Sequence, residues 1–199
     1  MRAALVVVDM QRDFLPGGSL AVSCGDEIIP LLNKYIQLFD ANKELVVFTR
    51  DWHPEDHSSF STHGGTWPVH CVRGARGAEI DPRLEFPSTC LLVSKAVLQE
   101  KEAYSAFDGT RLSEYLVNLG VDRLFVGGVA TDYCVRSTVL DGVANGFEVF
   151  LLKDAVRGVD LKPGDSARAV EEMQKRGVQL VALDDVKVLL LDLKPQWSR

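Results

Sequence analysis

The chain lacks any apolar run approaching the roughly 18 residues that a membrane-spanning helix requires, so membrane insertion is not expected. It also lacks a basic cluster. Its 22 Lys and Arg residues are scattered and the formal charge is −6, which leaves no surface suited to neutralising phosphates and argues against nucleic acid as a partner. No C-x-x-C pair is present: Cys24, Cys71, Cys90 and Cys134 are widely separated, which weakens zinc-ribbon and thioredoxin-like readings. The first residues run directly into a strand pattern without a signal-peptide layout, so a cytoplasmic location and reduced thiols are expected. Within an apolar run, Cys90 reads as a small core residue, while Cys24 and Cys71 have no evident chemical partner. Internal repeats, low-complexity tracts and interdomain linkers are missing too, and no G-x-G-x-x-G loop follows the first strand pattern.

What remains is an ordinary globular composition, 46% apolar and 25% charged over 199 residues, from which one domain spanning 1–199 is expected. Continuous apolar runs at about 3–9, 45–50, 90–94, 122–127, 147–152 and 178–182 read as strands covered on both faces. Segments 28–42, 111–119, 132–145 and 164–176 carry helical spacing or good helix formers, with Gly120, Gly146 and Gly177 placed as stops. The alternation predicts an α/β fold, a doubly wound parallel six-stranded sheet with helices on both faces.

Four of the apolar runs lead to a reactive side chain: to Asp9, to Asp51, to Lys95 and, through two glycines, to Cys134. In a parallel sheet these ends share one edge, where ligands bind. Cys134 opens a predicted helix, where the dipole and unpaired N–H groups would favour the thiolate and could hold an oxyanion. A buried small residue in a first helical turn explains the same position. Asp9 could take the thiol proton and return it to a leaving amine, with Lys95 balancing the charge. A plain ion pair accounts for two of these residues but poorly for a thiol converging with them.

From Trp52 to Thr89 no strand or helix is evident, and this long connection holds all four histidines, His53, His57, His63 and His70. Asp51 and His53 lie two apart at a strand end, facing one side, and His70 could return to join them. One carboxylate and two imidazoles suit a divalent metal, with zinc favoured and iron or manganese compatible. A turn-capping aspartate among solvated histidines fits the spacing as well. His57 and Glu55 are further candidate ligands; His63, beside two glycines, reads as exposed.

These features meet in five ordered segments: VVVDMQRDFLPGGSLAV at 6–22, TRDWHPEDHSSF at 49–60, WPVHCV at 67–72, SKA at 94–96 with EAYSAFDGT at 102–110, and GGVATDYCVRSTVLDG at 127–142. With them the chain resembles nicotinamidases (pyrazinamidases) of the isochorismatase-like cysteine hydrolase family over nearly its whole length. The resemblance implies a catalytic Asp9, Lys95 and Cys134 set and a metal held by Asp51, His53 and His70. It further implies a cis peptide at Val129-Ala130, an oxyanion hole from the N–H groups of Ala130 and Cys134, and a substrate pocket using Phe14, Trp67, Tyr104 and Ala130.

The implied reaction is hydrolysis of nicotinamide to nicotinate and ammonia through a thioester, a step of NAD salvage, with pyrazinamide also accepted. A homo-oligomer is compatible with the family. Two other readings remain: a related cysteine hydrolase acting on a carbamoyl or ureido substrate, and a metal- or nucleotide-binding regulatory module. The Asp51, His53 and His70 group speaks against the first, and the convergence of acid, amine and thiol against the second.

Overall fold

The computed structural model describes residues 2–191. Six parallel strands, β1 (Arg2–Val8), β2 (Leu45–Asp51), β3 (Cys90–Lys95), β4 (Val121–Val129), β5 (Glu148–Arg157) and β6 (Gln179–Val181), form one sheet in the order β3-β2-β1-β4-β5-β6. Around it pack α1 (Ile29–Ala41), α2 (Leu112–Asn118), α3 (Arg136–Ala144), α4 (Asp165–Lys175) and α5 (Leu183–Leu191). This is the expected doubly wound α/β architecture. No helix among the described residues is long and apolar enough to cross a membrane.

The pleat of β1 explains its unbroken apolar run. Leu5 and Val7 join a core with residues of α1 and α5, whereas Ala4, Val6 and Val8 join a second core with α2, α3 and α4. A side chain on either face is buried, and each fully buried Val or Leu contributes roughly 1.5–3 kcal/mol, so the sheet centre needs no polar alternation. Gly120, Gly146 and Gly177 follow α2, α3 and α4 at positive φ of 72°, 88° and 90°, the left-handed conformation that ends a helix cheaply only at glycine.

Three expectations change. Helix α5 follows β6 although its Val-Lys-Val-Leu-Leu-Leu run gives no clear 3.6-residue rhythm; the Asp185 carboxylate accepts the Ala182 N–H at 2.9 Å and closes its first turn. The fifth strand continues past residue 152 to Arg157, across a register shift against β4. Cys90 is exposed rather than in the core, because β3 lies at the sheet edge, with β2 its sole strand neighbour among the described residues.

The 52–89 connection is ordered, and its regular structure is limited to two 3-10 turns, Ser61–His63 and Arg76–Ala78. Isolated bridges pair His53 with Val72, Phe60 with Trp67 and Gln11 with Ile80, folding the loop over the ends of β1 and β2. After β3 the chain crosses to the far side of β1 and enters the sheet as β4. The carboxyl ends of β1 and β4 therefore flank the point where strand order reverses, the place where open α/β sheets bind ligands. Gly128 lets them close together: a Cβ there would lie 2.1 Å from the Val8 carbonyl oxygen.

Candidate active site

Asp9, the residue after β1, is buried in the left-handed region at φ 48°. The Thr49 hydroxyl donates to its Oδ1 at 2.6 Å and accepts its backbone N–H at 3.2 Å, fixing the carboxylate from β2. Lys95 ends β3, opposite Asp51 in register, and its fully buried ammonium meets four groups. Its Nζ is 2.9 Å from Asp9 Oδ2 and 3.5 Å from Cys134 Sγ, donates to the Ala103 carbonyl at 3.2 Å, and is paired with Asp51 Oδ1. Cys134 Sγ lies within 4.8 Å of a carboxylate oxygen of Asp9. The Lys95 contact with Asp9 Oδ2 is a close ion pair without hydrogen-bond alignment, so Oδ2 keeps an acceptor position free beside the thiol.

The protonation pattern follows from this geometry. Burial raises the Asp9 pKa and the nearby Asp51 adds to it, against the opposing pull of Lys95 and Thr49. Burial works against the Lys95 charge, but Asp51 and Asp9 outweigh it and raise its pKa well above the usual lysine value. Burial likewise pushes the Cys134 thiol well up; Lys95 opposes this, while Asp9 and Asp51 reinforce it. The expectation of a resting thiolate is therefore corrected. Cys134 sits in a π-type turn, Thr131–Val135, ahead of α3, where burial from water disfavours its charged form. A thiol so placed ionises readily only with a base beside it, and an Asp9 carboxylate oxygen is within 4.8 Å.

Asp51, His53 and His70 present ligand atoms within 4.8 Å of one another, and all three are buried. The loop determines how they face. His53 Nδ1 lies 3.1 Å from the His70 carbonyl and His70 Nδ1 lies 2.7 Å from the Pro68 carbonyl, and since a carbonyl only accepts, both rings carry their proton on Nδ1 and offer Nε2 as a lone pair. His53 Nε2 is buried without a hydrogen-bond partner, a costly state for a polar atom unless a ligand claims it. The donors thus fit a divalent cation.

His57 is not part of that trio but forms a second candidate donor group with His53 and Glu102, their ligand atoms within 4.8 Å of one another. Its Nε2 donates to the Lys101 carbonyl at 3.2 Å and its Nδ1 accepts from the Ser59 hydroxyl at 2.7 Å, so both nitrogens are engaged. Glu55 is exposed and belongs to neither donor group found among the described residues; His63 is exposed as expected. Sequence reasoning missed Glu102, whose Oε1 is 3.9 Å from His53 Nε2, too long for a hydrogen bond but close enough for charge to matter. Burial opposes its ionisation, yet His53, when its ring is protonated, and the Ala103 N–H hold its pKa down to about 2. Gln11 was missed too: it accepts the Asp51 N–H at 2.7 Å and donates to the Asp51 carbonyl at 2.8 Å, clamping that residue's backbone.

Both groups open onto one largely apolar cavity of about 440 Å³, including its mouth. Phe14, Trp67, Tyr104 and Ala130 all lie on its wall, and Cys134, Asp51, His70 and Glu102 reach it from the floor. The Trp67 indole N–H donates to the Tyr104 hydroxyl at 3.0 Å, and Tyr133 packs against both rings at centroid distances of 5.3 and 5.6 Å. Burial pushes the Tyr104 phenol up to about 12, so it remains a neutral wall. Leu20, Val22, Val129, Tyr133 and Val159 also line it and were not anticipated. The Val129-Ala130 peptide is cis, and the Ala130 carbonyl accepts the N–H groups of Tyr133 and Val135, both at 3.1 Å, pinning the turn that carries Cys134.

Known proteins share this arrangement of chain. A family model described as Isochorismatase domain matches residues 3–185. The nicotinamidase of Escherichia coli (strain K12) is 36% identical over 203 residues, covering 92% of this chain and 95% of its own. The pyrazinamidase of Pyrococcus horikoshii in complex with zinc has a TM-score of 0.88 at 52% identity, over 92% of this chain and all of that one. PnC1 from L. infantum in complex with nicotinate has a TM-score of 0.83 at 38% identity, over 92% of this chain and 93% of that one.

Proposed function

The chain belongs to the isochorismatase domain family, and from that premise we propose that it is a metal-dependent cysteine amidohydrolase that converts nicotinamide to nicotinate and ammonia and also accepts pyrazinamide. One observation carries the reading: the buried Cys134, Lys95 and Asp9 contact shares a cavity with the Asp51, His53 and His70 donors. The activity of its relatives agrees with it, placing the chain in NAD salvage.

Asp9 accepts the Cys134 thiol proton as the sulfur attacks the carboxamide carbon, and the C=O electrons move onto oxygen. The N–H groups of Ala130 and Cys134 receive that oxyanion, a contact of the kind worth roughly 3–4 kcal/mol. As the C–N bond breaks, Asp9 returns its proton to nitrogen and ammonia leaves a thioester on Cys134. Asp9 then deprotonates water, hydroxide adds to the thioester, the C–S bond breaks as Asp9 returns the proton to sulfur, and the acid departs as nicotinate, its proton passing to the released ammonia. Throughout, the Lys95 ammonium offsets the charge that moves between Asp9 and sulfur.

Asp51, His53 and His70 would hold the cation, with zinc preferred from the mixed carboxylate and imidazole set and from its presence in the Pyrococcus relative. A cation there supplies a fixed positive charge that attracts a pyridine nitrogen and so orients the carboxamide toward Cys134. The aromatic walls favour a flat ring over a ureido group, which sets the carbamoyl alternative second. Ammonia release from nicotinamide and from a ureido compound by purified protein decides between them. Release from nicotinamide that persists in Cys134→Ala would sink the covalent route.

A further inference from the structure

Asp132 lies two residues before Cys134 but does not line the ring cavity; it borders an adjoining open cleft with Arg136 and Glu172. Those two neighbours are committed to each other through a bidentate pair at 2.7 and 2.8 Å. The Asp132 carboxylate is directed elsewhere. Its Oδ1 accepts the Val159 N–H and its Oδ2 the Asp160 N–H, each at 2.9 Å, so both oxygens hold the loop between β5 and α4.

That loop is set closely against the turn. Asp160, at φ 51°, accepts the Ser166 N–H at 2.8 Å and its hydroxyl at 2.7 Å, anchoring the loop to the start of α4. A Cβ at Gly158 would come within 1.8 Å of Ser166 Oγ and 3.1 Å of Asp132 Oδ1, so the backbone passes with no space for a side chain. Val159, the residue held directly, forms part of the same cavity wall as Tyr133, Ala130 and Cys134.

We propose that Asp132 is a positioning residue that sets the width of the ring cavity by tying the Val159 wall to the turn that carries the nucleophile. The inference rests on the nicotinamide reading above and extends it to ring selectivity: the tie restricts the site to unsubstituted pyridine and pyrazine carboxamides. An asparagine at 132 has one acceptor oxygen where the carboxylate has two, so one of the two loop bonds is lost.

The test compares nicotinamide with 5-methylnicotinamide, whose methyl is not adjacent to the ring nitrogen, in the unaltered protein, Asp132→Asn, Val159→Ala and the double variant. Asp132→Asn is expected to raise KM for nicotinamide about tenfold with kcat changed by less than about threefold, and to raise the relative kcat/KM for the methylated ring at least about fivefold. Val159→Ala, which leaves the Asp132 bonds in place, shifts that ratio in the same direction. In the Val159→Ala background Asp132→Asn adds less than about a further twofold, because both act through one wall.

An unchanged ratio in Asp132→Asn, an equal loss on both amides, or full additivity in the double variant overturns the inference. If Asp132→Asn does not fold, an unmoved ratio in Val159→Ala overturns it instead. No ammonia from nicotinamide with the unaltered protein overturns the functional reading and this inference together; activity in that protein with unmoved selectivity in the variants overturns the inference alone.

Discussion

The two halves of the site are built differently. Asp9 and Lys95 stand at or just beyond the ends of β1 and β3, both paired to β2, and Cys134 follows β4 in the Thr131–Val135 turn that the Ala130 carbonyl pins. His53 and His70 belong to a connection without strands or α-helices, fixed by isolated bridges and by Nδ1 contacts with backbone carbonyls. Chemistry that depends on sub-ångström proton transfer sits on the stiff frame, and the donors whose position a bound ion can adjust sit on the loop. Asp51 joins the halves, since it ends β2, pairs with Lys95 and belongs to the cation group.

The sharpest way to break this comparison is Cys134→Ala. On the stiff side a variant should lose rate and nothing else: kcat/KM for nicotinamide falls at least about 10⁴-fold, while thermal midpoint and bound metal stay as they were. A matching loss of metal would show that the halves are not separable.

Chelation comes next and should touch stability as well as rate. Loss of an ion present at 100 to 1,000 times its Kd removes roughly 3–4 kcal/mol, and so lowers the thermal midpoint by about 5–15 °C in a chain of this size. Activity and midpoint should return together on adding zinc. Full activity in ion-free protein, checked by elemental analysis, would dismiss the cation's role.

The pH dependence separates the groups further. Burial raises the Asp9 pKa, so the carboxylate it must present as base is lost as pH falls through a value above the ordinary aspartate range. Burial also raises the Cys134 thiol, so the single shared proton persists until pH exceeds the ordinary thiol range. The profile of kcat/KM should therefore show an acid limb displaced upward and a plateau extending into mild alkali; an acid limb at the ordinary aspartate position would contradict the role of Asp9.

The smallest expected effect is at Thr49. Thr49→Val removes the 2.6 Å bond to Asp9 with little change in volume, and a loss of about tenfold in kcat at unchanged KM is expected from one hydrogen bond to a charged group. A rise in KM alone would mean that Thr49 shapes the cavity rather than the base.

How much of this could be read from sequence divides along the same line. Strands buried on both faces appear as unbroken apolar runs, so the sheet and the residues at its edge, Asp9, Asp51, Lys95 and Cys134, were visible as run endings. Partners across the sheet were not. Thr49 and Gln11 act through bonds to Asp9 and Asp51 some 40 positions away, a separation that no local pattern encodes. Glu102, Tyr133 and Val159 join the cavity from three different connections, although the first two stood beside residues already singled out.

Cys90 misled because an apolar run does not disclose whether its strand is central or at the margin. Helix α5 was missed because Val186 to Leu191 is apolar on several sides, yet Asp185 three positions after Ala182 was a readable start signal. The direction of the Cys134 shift depends on depth of burial, which a helix-start motif does not report.

Gly128 gives the floor of the crevice a further meaning. Its bare backbone lies directly against Val8, the residue before Asp9, so even one added methyl would act as a wedge under two strands at once. Such a substitution would part the base from the sulfur without altering either, making position 128 a spacer gauge for the whole reaction centre.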